Sequence, residues 1–291
     1  MGNRALDING FTNTVTTNSH ITVRGSDWYF TVCAVMCFST LVFIGLSFTK
    51  PRSQRLFHYI TAGITLVAAI AYFCMGSNLG WTAIQVEFER TNPKVAGNMR
   101  QMFYVRYIDW FITTPLLLTD LFLTCGLPMP TILYTILFNE VMVVTGLVGA
   151  LVRTSYKWGF FTFGTVSFFV VAYTIAFEGR TYSRALGSDI SRTYTTCGAW
   201  TAAIWLVYPI IWGVCEGGNV ISSDSEAIAY GILDLLAKPV FGALLLWGHR
   251  NIELERLGIH VHDPTVSPRA SGGVKEKTAE AVPATATSST P

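Results

Sequence analysis

Residues 227–247 read AIAYGILDLLAKPVFGALLLW, an apolar stretch of membrane-spanning length with Asp234 and Lys238 near its centre. Each end of the stretch lies roughly ten residues from Lys238, about 15 Å at 1.5 Å per residue, so the ammonium cannot reach water by stretching along the helix. An ionisable group at that depth needs an internal partner, and Asp234 stands one turn earlier on the same face. Two readings follow: a buried functional cation with its counterion, or a structural ion pair.

Composition points the same way. With 51% hydrophobic and 13% charged residues and a mean hydropathy of +0.43, the 291-residue chain is too apolar for an ordinary soluble domain. Seven stretches are long enough to cross a bilayer as helices, at about 27–49, 57–82, 103–125, 131–152, 158–178, 194–215 and 227–248. They predict an all-α membrane protein, a seven-helix bundle over 27–250. A polar segment, 1–26, precedes it without the apolar run of a cleavable signal. A tail, 251–291, follows, rich in Ala, Thr, Ser and Pro and expected to be disordered from about 266.

Net charge, +2, says little about partners, but its placement does. Lys50, Arg52 and Arg55, then Arg180, Arg184 and Arg192, then Arg250 and Arg256 fall at one end of the bundle. The other end carries a mixed loop (Glu87, Glu89, Arg90, Lys94, Arg100), Arg153, Lys157 and the acidic 216–226 segment. The positive-inside rule then predicts an extracellular N-terminus and a cytoplasmic C-terminus. The six cysteines lie inside spans or at their ends without a CxxC pair, so neither a disulfide framework nor a metal site is expected.

The third span reads Arg106-Tyr-Ile-Asp109-Trp110-Phe-Ile-Thr113-Thr114-Pro115-Leu-Leu-Leu-Thr119-Asp120. Spacings of 3, 4 and 7 put Arg106, Asp109, Thr113 and Asp120 on one stripe, which must face protein rather than lipid. Asp109 and Asp120 are eleven residues apart, about 16 Å along the axis. Two carboxylates at different depths on one face suit a proton relay better than packing. In span six Trp205, Tyr208 and Trp212 share a face. Alone that is ordinary packing; beside Trp110 and a buried lysine it also suits the wall of a slot for a long flat apolar molecule. Pro115, Pro209 and Pro239 each free a carbonyl that needs a local partner in a bilayer, and Pro239 is expected to distort the helix beside Lys238.

Taken together, Arg106-Tyr-x-Asp109-Trp110-x-x-Thr113-Thr114-Pro115-Leu-Leu-Leu-x-Asp120 and Asp234-x-x-x-Lys238 resemble the signature of the microbial (type 1) rhodopsins, over about residues 27–250. The resemblance implies all-trans retinal joined to Lys238 as a protonated Schiff base and isomerised by light to 13-cis. The pattern Asp109, Thr113, Asp120 is similar to that of outward proton pumps, and the soluble tail suggests the fungal branch. On this view the chain is a light-driven membrane protein and no enzyme. Its partners are the lipid bilayer and protons, with no nucleic acid; a homo-oligomer is left open. The expected location is the plasma membrane.

Physical chemistry then distributes roles. A buried positive nitrogen demands negative partners, so Asp109 and Asp234 serve as counterions, with Arg106 below to balance the excess charge. Asp109 is the proton acceptor. Asp120, among Leu117, Leu118, Leu121 and Phe122, sits where a carboxyl stays protonated at rest, and is the proton donor. Glu216 and Glu226 flank the loop where the family places proton release; a solvated loop pair is the plain alternative. The retinal slot is expected to be lined by Trp110, Thr114, Met142, Gly146, Phe161, Trp205, Tyr208 and Trp212, with Gly164 near the ring end. Asn139 stands where pumps often carry a carboxylate bonded to the threonine at Thr114, and Glu140 is a mid-membrane carboxyl with no assigned partner.

Two other functions compete. A sensory photoreceptor of the same fold would signal to a partner at the cytoplasmic face; Asp120 argues against it, because sensory members commonly lack a carboxyl donor. A ligand-gated receptor of another class would be expected to show Asn-Pro-x-x-Tyr in span seven, where this chain has Ala237-Lys238-Pro239-Val240.

Overall fold

The computed structural model describes residues 3–9, 17–85 and 99–261. A short helix α1 (Arg4–Ile8) precedes α2 (Val23–Ser47) and α3 (Leu56–Gly76). A hairpin of β1 (Thr82–Gln85) and β2 (Met99–Met102) leads into α4 (Val105–Thr124) and α5 (Met129–Leu151). Helix α6 (Lys157–Tyr173) continues through a π-helical turn at 174–178 into α7 (Gly179–Ala185). Helix α8 (Ser188–Trp212) ends in a second π turn at 213–217, and α9 (Ser223–Leu235) joins α10 (Phe241–Gly248) through a third at 236–240.

Six of the seven spans are long and apolar enough to cross a membrane by composition alone. The remaining span, α4, is diluted by Arg106, Asp109 and Asp120. All three are buried, and Ile108, Phe111 and Ile112 face outward instead. The lipid therefore meets an apolar surface although the helix carries three charges. This is the sorting the stripe predicts.

The helices form a closed ring in which each packs on the next and α9 returns to α2. The ends of that closure are pinned by hydrogen bonds. Asp224, in the first turn of α9, accepts from the Thr22 backbone N–H (2.8 Å) and hydroxyl (2.6 Å) at the start of α2. Ser222 caps α9 by accepting from Ser225 N–H at 3.2 Å. One turn further on, Trp28 donates its indole N–H to the Ala227 carbonyl at 3.0 Å. Gly231 makes that approach possible, because a Cβ there would strike the Trp28 indole.

Several expectations need adjustment. The seventh span starts at Ser223 and not at 227, which brings Glu226 inside the helix, and the sixth starts at Ser188 and not at 194. The all-α expectation misses the antiparallel hairpin, paired from Thr82↔Met102 to Gln85↔Met99. Strands of four residues leave too little pattern to read. Glu87, Glu89, Arg90 and Lys94, and the tail from about 266, lie outside the described residues.

Gly231→Ala should destabilise the bundle by about 1–3 kcal/mol, the usual cost of overpacking. The thermal midpoint in detergent should fall. Gly63→Ala, where an added Cβ meets nothing within 4 Å, should leave the midpoint unchanged or raise it slightly.

Candidate functional site around Lys238

Pro239 has no N–H to continue the helical ladder, and the chain widens into the π turn at 236–240. The Leu236 carbonyl is satisfied twice, by the Phe241 N–H and by the Trp200 indole N–H at 2.9 Å. Lys238 sits in this turn with 2% exposure. Its Nζ lies 2.6 Å from Asp109 Oδ2 and 3.1 Å from Asp234 Oδ1. One ammonium thus faces two carboxylates from different helices.

Those carboxylates are not equivalent. Asp234 receives the Tyr72 hydroxyl at 2.7 Å and the Tyr208 hydroxyl at 2.6 Å, with the Trp110 indole N–H at 3.4 Å. Asp109 has only Lys238 on Oδ2, and its buried Oδ1 has no protein partner. Both Asp234 oxygens are thus engaged by donors, whereas Asp109 keeps an open oxygen beside its short contact to the lysine. Thr113 donates its hydroxyl to the Asp109 backbone carbonyl at 2.8 Å rather than to either carboxylate.

Arg106 departs from the expected arrangement. Its guanidinium does not hydrogen-bond Asp109 or Asp234. It donates to Glu226 Oε1 at 2.7 Å and to the Tyr29 hydroxyl at 2.9 Å, and lies over the Tyr230 ring at 4.1 Å. Two buried glutamates and a tyrosine outcompete the more distant aspartates, which feel Arg106 only through space.

An apolar slot opens from Lys238 between α4, α5, α6, α8 and α9. Every residue expected along it is there: Trp110 and Thr114 from α4, Met142 and Gly146 from α5, Phe161 from α6, and Trp205, Tyr208 and Trp212 from α8. Phe161 and Trp212 stack at 5.2 Å, and the Trp212 indole N–H donates to the Gly146 carbonyl at 3.2 Å. Gly164 also lines the slot, and an added Cβ would press on Thr145 Oγ1 at 2.9 Å. Asn139 donates to Thr114 Oγ1 at 2.6 Å, the bond expected of it. The same amide nitrogen lies 3.2 Å from Glu140 Oε1, so Glu140 has a partner that the sequence left unassigned. A long flat apolar molecule with a carbonyl end fits such a slot, because the one amine present closes it.

Asp120 is fully buried in the cluster of Leu117, Leu118, Leu121 and Phe122. The Thr61 hydroxyl donates to its Oδ2 at 3.0 Å, and Oδ1 has no protein partner. An apolar shell with one neutral donor suits a carboxylic acid that holds its proton until a base appears.

At the opposite end of α4, Glu216 and Glu226 are 3% and 2% exposed, which excludes the solvated loop pair. Arg100 grips Glu226 Oε2 through Nη2 at 2.5 Å and Nε at 3.2 Å, while Arg106 holds Oε1. Glu216 receives the hydroxyls of Tyr107 and Tyr230, each at 3.2 Å, and has Arg106 only at 3.6 Å. Lys157 Nζ donates to its backbone carbonyl at 3.2 Å. Two guanidinium groups fix Glu226 as an anion; neutral phenols leave Glu216 free to hold or shed a proton.

Sequence reasoning missed Tyr72, Tyr107, Tyr230, Thr61, Arg100 and Lys157. The hydroxyls stand in spans where tyrosine and threonine are ordinary, and the two cations flank loops where charge is expected. Only the helical register of Tyr230, four residues before Asp234, carried a usable signal.

Comparison with known proteins agrees with this geometry. The family model described as bacteriorhodopsin-like protein matches residues 25–252. The opsin-like protein carO of Fusarium fujikuroi is 61% identical over 262 residues, covering 90% of this chain and 85% of its own. Among solved structures, the light-driven proton pump LR (Mac) from Leptosphaeria maculans is 35% identical with a TM-score of 0.77, covering 83% of this chain and 100% of that one. The light-driven proton pump of Coccomyxa subellipsoidea is 38% identical with a TM-score of 0.74, covering 79% and 98%. A buried lysine between two carboxylates, closing an aromatic slot inside seven helices, is thus found in a chain that belongs to the bacteriorhodopsin-like family of microbial rhodopsins.

Proposed function

We propose that this protein is a light-driven outward proton pump that carries all-trans retinal on Lys238. One observation supports it above the rest. Lys238 Nζ closes the slot 2.6 Å from a carboxylate with a free oxygen, and a second, isolated carboxyl lies eleven residues further along the same helix.

Retinal condensed with the Lys238 amine supplies light absorption and an isomerisation that redirects the nitrogen. Trp110, Met142, Trp205, Tyr208 and Trp212 would hold its chain, and Gly146, Phe161 and Gly164 its far end. In the dark Asp109 and Asp234 balance the positive nitrogen. After light, Asp109 Oδ2 takes the proton from Lys238 Nζ, which removes both charges of the closest pair. Asp234, held by two phenols, stays anionic and preserves the field. Asp120 then returns a proton to the Lys238 nitrogen, and Glu216 discharges one at the other end.

The direction follows from the ends. Lys50 donates to the Arg250 carbonyl at 2.7 Å and Arg256 pairs with Asp189 at 2.7 Å, so the basic segments share one end of the bundle. Arg100, Lys157, Glu216 and Glu226 are buried and drop out of the loop-charge comparison, which sharpens the contrast. The positive-inside rule makes the basic end cytoplasmic, with Asp120 toward it and Asp109 toward the outside; the plasma membrane is the expected site. A sensory photoreceptor would have no need of the isolated acid at Asp120.

Illumination of cells that express the chain and are supplied with retinal should acidify the medium, and a protonophore should abolish the signal. An intact visible band without a pH change overturns the pump in favour of the sensor. Lys238→Ala should remove the visible absorption band altogether; a band that survives would place the chromophore elsewhere.

Asp109→Asn should shift the band to longer wavelength, because a negative charge at 2.6 Å no longer holds the positive charge on the nitrogen, and acidification should fall to background. Wild-type colour and transport in that variant would remove Asp109 from both roles.

Asp120→Asn should slow recovery of the visible band after a flash by about 10²-fold or more, the usual contribution of a positioned acid. Recovery should then slow further as pH rises, because protons must come from solvent, and azide should restore much of the rate. Flash photolysis across roughly pH 5 to 9 is the check; recovery as in the wild type throughout would make Asp120 a structural carboxyl.

A further inference from the structure

We propose that His58 and His249 form a proton-uptake relay that refills Asp120 from the basic end of the bundle. The proposal rests on the pump reading and names the groups that supply its donor.

Asp120 is 0% exposed, so no proton reaches it directly from water. Among the described residues its carboxyl accepts from Thr61 on α3. His58 stands three residues before Thr61, one turn nearer the basic end on the same face, about 4.5 Å along the axis. His58 Nδ1 is buried without a protein partner. Directly after α10, the His249 ring packs on Phe57 at 4.2 Å between centroids. His249 Nδ1 lies 2.8 Å from the Leu245 carbonyl. A carbonyl only accepts, so Nδ1 carries the hydrogen, and Nε2 is left as a bare lone pair, also buried and unpartnered. Two imidazoles with idle nitrogens and the idle Asp120 Oδ1 therefore cluster at the end from which the donor must be recharged.

Both rings are buried, a poor setting for a resident positive charge, so a proton taken up is passed on. The step balances simply. A hydronium gives a proton to an imidazole nitrogen, that N–H bond then breaks with its electron pair left on nitrogen, and an O–H bond forms on the Asp120 carboxylate, with the Thr61 hydroxyl spanning the turn between them. Neutral imidazole is regenerated.

The test uses the full chain with retinal and the variants His58→Gln, His249→Gln and the double variant, with Asp120→Asn alongside. The visible band should keep its position in the histidine variants. Recovery after a flash should slow at least about tenfold at pH 8 in the double variant, steepen its dependence on pH, and be restored by azide or added imidazole. Without retinal, ¹⁵N spectra of labelled histidine should show His249 as the neutral Nδ1–H tautomer. Wild-type recovery in the double variant while Asp120→Asn is slow overturns the relay and leaves the pump standing. Wild-type recovery in Asp120→Asn overturns the pump itself. If the double variant fails to form pigment, the single variants decide, and a resident imidazolium at His249 near neutral pH sinks the relay by itself.

Discussion

The site depends on one ammonium, that of Lys238, which lies mid-span and cannot reach water. Moving an unpaired charge of that size into a low-dielectric interior costs several kcal/mol even after relaxation, and leaving one member of a buried pair alone costs about 3–5 kcal/mol. Lys238 is therefore tolerable only because α4 brings Asp109 and α9 itself brings Asp234. The register of α4 against α9 brings these carboxylates to the nitrogen, and the π turn at Pro239, with the bond from Trp200 to its Leu236 carbonyl, positions Lys238 between them. The slot follows as well, since aromatic side chains from α4 and α8 that wall off the ion pair also enclose the space beyond it.

Three aspartates with the same intrinsic chemistry acquire three behaviours from their neighbours. Asp234 accepts from two phenols as well as from the lysine. Asp109 has the shortest contact to the cation and an idle oxygen, which makes it the group that can change state. Asp120 has no cation near it and one hydroxyl donor, which favours the acid. The glutamates repeat the division: Glu226 is clamped by Arg100 and Arg106, and Glu216 is left to neutral tyrosines. In each pair one member is surrounded by more or stronger donors than the other, which is how neighbouring carboxyls come to differ in environment.

What the sequence disclosed and what it hid follow a physical rule. A charge inside an apolar run stands against its background, so Lys238, Asp234, Asp109 and Asp120 were legible, as were the seven spans that contain them. A charge at the edge of a span does not stand out. Arg100, Lys157, Glu216 and Glu226 read as loop residues because loops carry such residues, yet the hairpin (Arg100), the start of α6 (Lys157), the π turn at 213–217 (Glu216) and the early start of α9 (Glu226) draw all four inside. Arg106 was legible as a residue but not by partner, since its choice of Glu226 depends on where the end of α8 lies. Tyrosines are harder still, because a tyrosine in a span serves equally as packing, interface anchor or donor; Tyr72 is distinguished only by the aspartate it reaches across the bundle.

Net transport demands more than carboxyls in line. If a proton could pass between Asp120 and Asp109 without the lysine nitrogen, the roughly 16 Å between them would be a leak. Leu117 and Leu118 stand in that interval as part of a buried apolar cluster, and the Thr113 and Thr114 hydroxyls near it donate to backbone carbonyls. The two ends differ accordingly. Toward Glu216 tyrosines, arginines and glutamates are joined by hydrogen bonds and ion pairs. Toward Asp120 the described polar atoms are few and met by single donors. On the proposed pump reading, an apolar barrier on one side of the lysine nitrogen and a polar network on the other would let a change in the direction of that nitrogen convert absorbed energy into a one-way step.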